Sequence, residues 1–168
     1  MRTLPAWAVC MLSTGCVIVP CGPGFLTAWR DGVKVIEIPV GSGPRLRIPS
    51  TVVRTAADFE TILNRAISEL GAAAAVEFMQ PLKEGQPDFD RQSLVLVRHD
   101  ASSNSSFRFS SYVDLSRKLI CNIRTRRNGT NRDMYPFWFA VAVDKRAATG
   151  IEVWVDGELQ EKLGALEP

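Results

Sequence analysis

His99-Asp100, followed by Ser102, Ser103, Ser105 and Ser106, collects the side chains of a nucleophilic triad, in which an imidazole takes the proton of a serine hydroxyl and a carboxylate orients the imidazole. Such a relay needs fixed hydrogen-bond geometry and a cradle for the oxyanion. The stretch Ala101-Ser102-Ser103-Asn104-Ser105-Ser106 instead has the composition of a polar loop between strands, and the chain carries no G-x-S-x-G elbow. No catalytic residue is assigned, and a non-enzymatic protein is expected. Asp88-Phe89-Asp90 offers two carboxylates on one side of an extended segment, but no third acid follows at calcium-loop spacing. The expected role of this segment is a polar turn, with Phe89 anchoring the strand that follows. Of the four cysteines, Cys10, Cys16, Cys21 and Cys121, none stands at CxxC or Cys/His zinc spacing, and His99 is the single histidine. No metal and no cofactor is expected.

The remaining chemistry is electrostatic. Between Ala101 and Arg132 stand seven cations, Arg108, Arg117, Lys118, Arg124, Arg126, Arg127 and Arg132, against the single acid Asp114. This stretch carries +6 while the whole chain carries only +2, too little to argue for nucleic acid as a partner. Lys118, Arg124 and Arg126 share strand parity, and Arg127 and Arg132 flank an Asn128-Gly129 turn. Trp138 and Trp154 have the parity opposite to the apolar residues of their own strands. Arg and aromatic side chains together are the composition of an interface core. The candidate contact surface is therefore Arg108, Lys118, Arg124, Arg126, Arg127, Arg132, Trp138 and Trp154. It can alternatively be read as a solvated sheet face whose cations deter edge pairing, with the tryptophans covered by a helix or a second sheet.

These residues must be positioned by a folded body, and the first thirty residues do not belong to it. Arg2 is the only charge before Arg30, an apolar run covers Leu4 to Leu12, and Ser13-Thr14-Gly15-Cys16 follows. That is the layout of an export signal. Leu12-Ser13-Thr14-Gly15-Cys16 resembles the bacterial lipobox, which makes Cys16 the expected lipidation residue, with residues 1–15 a lipoprotein signal peptide and 16–32 a tether. A membrane-spanning helix fits less well, because it needs roughly 20 apolar residues and Pro and Gly interrupt this segment. Cys21 and Cys121 would then share an oxidising compartment. Cys121, however, alternates with Leu119 and Ile123 as a small core residue does.

The body is expected over residues 33–157 as a single α+β domain, with 158–168 a polar tail. Val33–Ile38 and Leu46–Val53 read as β segments. Thr55 and Asp58 open an amphipathic helix whose apolar stripe is Phe59, Ile62, Leu63, Ala66, Ile67 and Leu70, with Gly71 as its stop. Ala72–Ala75 adds at most a fraying turn, and Pro81–Pro87 a polar loop. Strands follow at 93–98, 107–113, 119–125, 137–143 and 151–155, the last two expected as a hairpin across Asp144–Gly150 with Phe139, Val141, Val143, Ile151, Val153 and Val155 facing inward. The expected architecture is a mainly antiparallel sheet of about six strands with one helix packed on it, or alternatively a β-sandwich.

From about Thr51 to Val155 the order of features resembles the C-terminal domain of PrcB-like proteins, protease-stabilising lipoproteins of bacterial envelopes. The likeness rests on the helix opening Thr55-Ala-Ala-Asp-Phe59, on Asp88-Phe89-Asp90 leading into Leu94-Val-Leu-Val97, and on the apolar strands that close the domain. Where that family has Thr-Gly-Gly-Tyr this chain has Ser105-Ser106-Phe107-Arg108, so no residue role is carried over. The resemblance implies a non-catalytic lipoprotein, anchored in a bacterial envelope, that binds or stabilises another envelope protein. A module binding an anionic polymer or lipid through its Arg-rich strands is the alternative.

Overall fold

The computed structural model describes the backbone of residues 33–36 and residues 46–85, 87–129 and 133–166. The signal segment, Cys16, Cys21, the tether and Arg132 lie outside the described residues. In chain order the elements are β1 (Val33–Ile36), β2 (Thr51–Val53), α1 (Ala56–Leu70), α2 (Ala72–Glu84), β3 (Gln92–Ser102), β4 (Ser105–Val113), β5 (Lys118–Arg127), β6 (Met134–Asp144), β7 (Gly150–Val155) and β8 (Glu158–Leu163). The class is α+β. The strands form two four-stranded sheets, β1-β6-β3-β2 and β4-β5-β7-β8, antiparallel except for the β5–β7 pair.

Parity along β3 and β6 sets the layers. Leu94 and Leu96 with Trp138, Ala140 and Ala142 face the helices, whereas Val95 and Val97 with Phe137, Phe139, Val141 and Val143 face the second sheet. Both central strands of the first sheet are thus buried on both sides, which is why they read as near-continuous apolar runs. The result is three layers, helices on one sheet and that sheet on another. Alanines at 140 and 142 let the helices approach, while phenylalanine and valine fill the wider space between sheets.

Local chemistry explains the helical layer. Thr55 Oγ1 accepts from the Asp58 N–H at 3.0 Å, and Asp58 Oδ2 accepts from the N–H groups of Thr55 and Arg54, both at 3.0 Å. This capping box satisfies donors that the first turn leaves free. Backbone hydrogen bonding from Arg54 holds the Asp58 carboxyl below its usual range. Phe59 and Ala66 are buried on the expected stripe, and Ile67 stands at its exposed margin. Gly71 ends α1 and begins α2 at φ 80° and ψ 160°, a backbone region open essentially to glycine alone, so the corner between the helices is built from that residue.

Four expectations are corrected. The described residues hold two helices: Ala72 begins a full helix that runs through Pro81 to Glu84, with Ala75, Met79 and Leu82 buried against β3 and β6. Its stripe was masked by the alanine run and by a proline that the last turn tolerates. The six residues 101–106 are not a loop, since Ala101 and Ser102 belong to β3, Ser105 and Ser106 to β4, and only Ser103-Asn104 turns. The hairpin between β6 and β7 does not form; β6 pairs with β3 and β1, and β7 with β5 and β8. Their inward residues do meet in one core, but across the sheets rather than along one. Residues 158–163 are strand β8, reached through an Asp156-Gly157 turn with φ of 52° and 90°. Both positive angles fit the two-residue hairpin that an Asp-Gly pair favours.

Beyond β8 the chain crosses back to the first sheet. Leu166 is fully buried in the core between the sheets, its carbonyl accepts from the buried Ser93 hydroxyl at 2.8 Å, and Arg54 donates to the Ala165 carbonyl from Nε at 3.1 Å and from Nη2 at 2.6 Å. The segment expected as a polar tail closes one end of the sandwich.

Candidate functional site

The outer face of the first sheet is covered by helices, and no described element covers the outer face of the second. Parity places Lys118, Ile120, Asn122, Arg124 and Arg126 of β5 on that open face, beside Ser106, Arg108, Ser110 and Tyr112 of β4 and Glu152 and Trp154 of β7. The register sets Arg108 directly opposite Arg124 and Arg126 opposite Ser106. Like charges directly across a ladder destabilise the pair. None of these arginines has a carboxylate partner among the described residues, and all three are exposed. One half of the face is therefore an uncompensated cationic patch. Arg127 sits at the end of β5 opposite Ser105, on the other parity, and is also exposed.

The other half has different chemistry. Lys118 Nζ donates to Glu152 Oε1 at 2.6 Å, which neutralises that cation locally and makes it part of the structure rather than of the basic patch. The hydrogen bond with Lys118 holds the Glu152 carboxyl below its usual range, and the same contact raises the Lys118 ammonium. Trp154 Nε1 donates to Glu152 Oε2 at 3.3 Å, fixing the indole beside a hollow of about 300 Å³ lined by Tyr112, Asp114, Asn122, Glu152 and Trp154. The β7–β8 register shifts between Val153 and Trp154, which pair with Glu161 and Leu159.

Of the sequence-derived surface, the structure brings together Arg108, Lys118, Arg124, Arg126 and Trp154 on one face, with Lys118 paired to Glu152. Trp138 does not join them: it lies under α2, edge-on to Phe78 at 5.7 Å, because its parity is that of the helix-covered face. Tyr112 and Asn122 were not singled out from the sequence, although Tyr112 shares strand parity with Arg108.

The Ser/His/Asp letters do not converge. Asp100 is held by Arg98, with Nε to Oδ1 at 3.0 Å and Nη2 to Oδ2 at 3.1 Å. His99 points between the sheets, its Nε2 3.3 Å from Thr125 Oγ1 and its ring edge-on to Phe107 at 5.7 Å. Burial lowers the His99 pKa from 6.5, opposed by the charges of Asp156 and Asp100. The unfolded chain therefore takes up this proton at a higher pH than the folded one. Stability from this group is complete above pH 6.5 and falls as pH drops through that value toward the folded pKa. Urea midpoints measured between pH 7.5 and 5.5 should decline in the wild type and decline less in His99→Leu; equal slopes would discard this account.

Asp88 forms the expected turn, its Oδ1 accepting from the Asp90 N–H at 3.1 Å while Phe89 packs on Phe59 at 5.7 Å. Cys121 is a free thiol, and burial pushes its pKa up to about 12, which leaves it without thiolate character at neutral pH. No known protein family, no curated protein and no solved structure matches this chain.

Proposed function

We infer that this chain is a non-catalytic binding module that docks an acidic surface of another protein of the bacterial envelope through the open face of its second sheet. The observation that carries the reading is Arg108 opposite Arg124 with no acid among the described residues to offset them, on a face that no described element covers while the opposite face is covered by helices. A protein partner is favoured over an anionic membrane or polymer because the same face is mixed. The Lys118–Glu152 pair, Asp114 and the indole of Trp154 lie at its other end, which therefore lacks the uniform positive charge that an anionic surface would select. The resemblance to PrcB-like lipoproteins points the same way.

The double variant Arg108→Glu with Arg124→Glu tests the reading. Wild-type protein should be retained on immobilised polyglutamate and released by salt, and the variant, folded by circular dichroism, should elute in the void. Stronger wild-type retention on phosphatidylglycerol vesicles than on polyglutamate would transfer the role to membrane binding, and retention unchanged in the variant would remove this face altogether.

Envelope anchoring belongs to the same proposal and rests on the N-terminal sequence. Detergent phase partitioning of the cellular protein should be lost in Cys16→Ala. Partitioning that survives the substitution would leave the anchor without support.

A further inference from the structure

At the other end of β5 from Arg126, Arg117 meets two neighbouring cations from far along the chain. Arg117 comes from the β4–β5 turn, and Lys145 and Arg146 from the crossover between β6 and β7; with Thr149 and Ala165 they line a hollow of about 360 Å³. That is within the size of small-molecule sites. None of the three has an ion pair among the described residues. The acids nearest in sequence are occupied by backbone: Asp114 Oδ1 accepts from the Lys118 N–H at 2.7 Å, and Asp144 Oδ1 from the Arg146 N–H at 2.9 Å.

The cations are also held in place. Arg117 Nη2 donates to the Arg146 carbonyl, and Lys145 Nζ donates to the Phe89 carbonyl at 2.6 Å, so two of the three side chains are oriented by backbone acceptors rather than left to solvent. Arg117 itself has φ of 60°, at the position closing the turn where glycine is the ordinary choice. A left-handed arginine costs on the order of 1 kcal/mol that a glycine would not. A strained residue whose side chain lines a pocket of one charge sign is the pattern expected of a ligand site.

We propose that this hollow between the β4–β5 turn and the β6–β7 crossover binds a phosphate group, carried by a small molecule or as the free ion, through Arg117, Lys145 and Arg146. A dianion offsets the mutual repulsion of the three cations, and the guanidinium fork of Arg117 matches phosphate oxygens. The site is separate from the Arg108–Arg124 face, and neither depends on the other.

The test is titration calorimetry of the full chain with inorganic phosphate and with glycerol phosphate, at ionic strength held constant with sodium chloride. Saturable binding at one site per chain is expected. Arg117→Gly and Arg146→Gln should each weaken it at least about tenfold, the loss of one charge-assisted hydrogen bond. Arg117→Gly should also unfold at no lower urea concentration than wild type without phosphate, which separates loss of the site from loss of the fold. Tighter binding of glycerol phosphate identifies a phosphomonoester and equal binding the ion, and both support the site. No saturable binding by wild type, or affinity unchanged in both variants, overturns it.

Discussion

Truncation after Leu163 is expected to leave a chain that is largely unfolded in water at neutral pH. The deletion removes Leu166 from the core between the sheets, where it is fully buried, and a Leu→Ala change at such a site alone costs about 2–5 kcal/mol. It also strips the Ser93 hydroxyl, itself fully buried, of the Leu166 carbonyl, at a further cost of about 1–3 kcal/mol for an unpaired buried donor. The two losses are not strictly additive, yet together they approach the 5–15 kcal/mol that a domain of this size has in total. Leu166→Ala should fold with a urea midpoint clearly below wild type. Leu159→Ala, at an exposed position of β8, should move it little. A truncated chain with the wild-type midpoint would show that the closing segment contributes nothing.

Phe139→Ala should be the most damaging single substitution between the sheets, at about 3–5 kcal/mol. The ring stacks on Phe109 at 4.8 Å and meets Phe107 edge-on at 5.8 Å, and Phe107 packs in turn on Phe137 at 4.4 Å. These rings tie β6 of one sheet to β4 of the other, a contact that no hydrogen-bond ladder replaces. Phe139→Leu keeps most of the volume and should recover most of the loss. Urea unfolding followed by tryptophan fluorescence reads both, and a Phe139→Ala loss below about 1 kcal/mol would mean that the cluster repacks around the void.

What could be read from the sequence was what is decided within a few residues. The Thr55 cap with Asp58 in the first turn, the α1 stripe, the core parity of Cys121 and the turn at Asp88 are local, and each formed as its side chains dictate. So did the shared parity of Lys118, Arg124 and Arg126 on one face of β5. What could not be read was partner choice between strands. Alternation in β6 and β7 fits a hairpin as well as two facing sheets, because parity reports which residues turn inward and is silent on what they meet. Trp138 is open to both of its readings for the same reason: a strand covered on both faces gives each parity an apolar environment, and here a helix covers the ring. The meeting of Arg117 with Lys145 and Arg146 depends wholly on the crossover between sheets, so no window of the sequence contains it. Two local signals stand unused, the Asp156-Gly157 pair before β8 and the parity that Tyr112 shares with Arg108.

The way this domain is closed bears on when it can form during synthesis. β1 finds its ladder partner 110 positions away, Val33 against Val143, the parallel β5–β7 pair waits for a strand made later still, and Leu166 is made after both. Pairings this remote are slow to nucleate. Until the residues through Leu166 have been made, a nascent chain therefore lacks part of the second sheet and part of the core between the sheets.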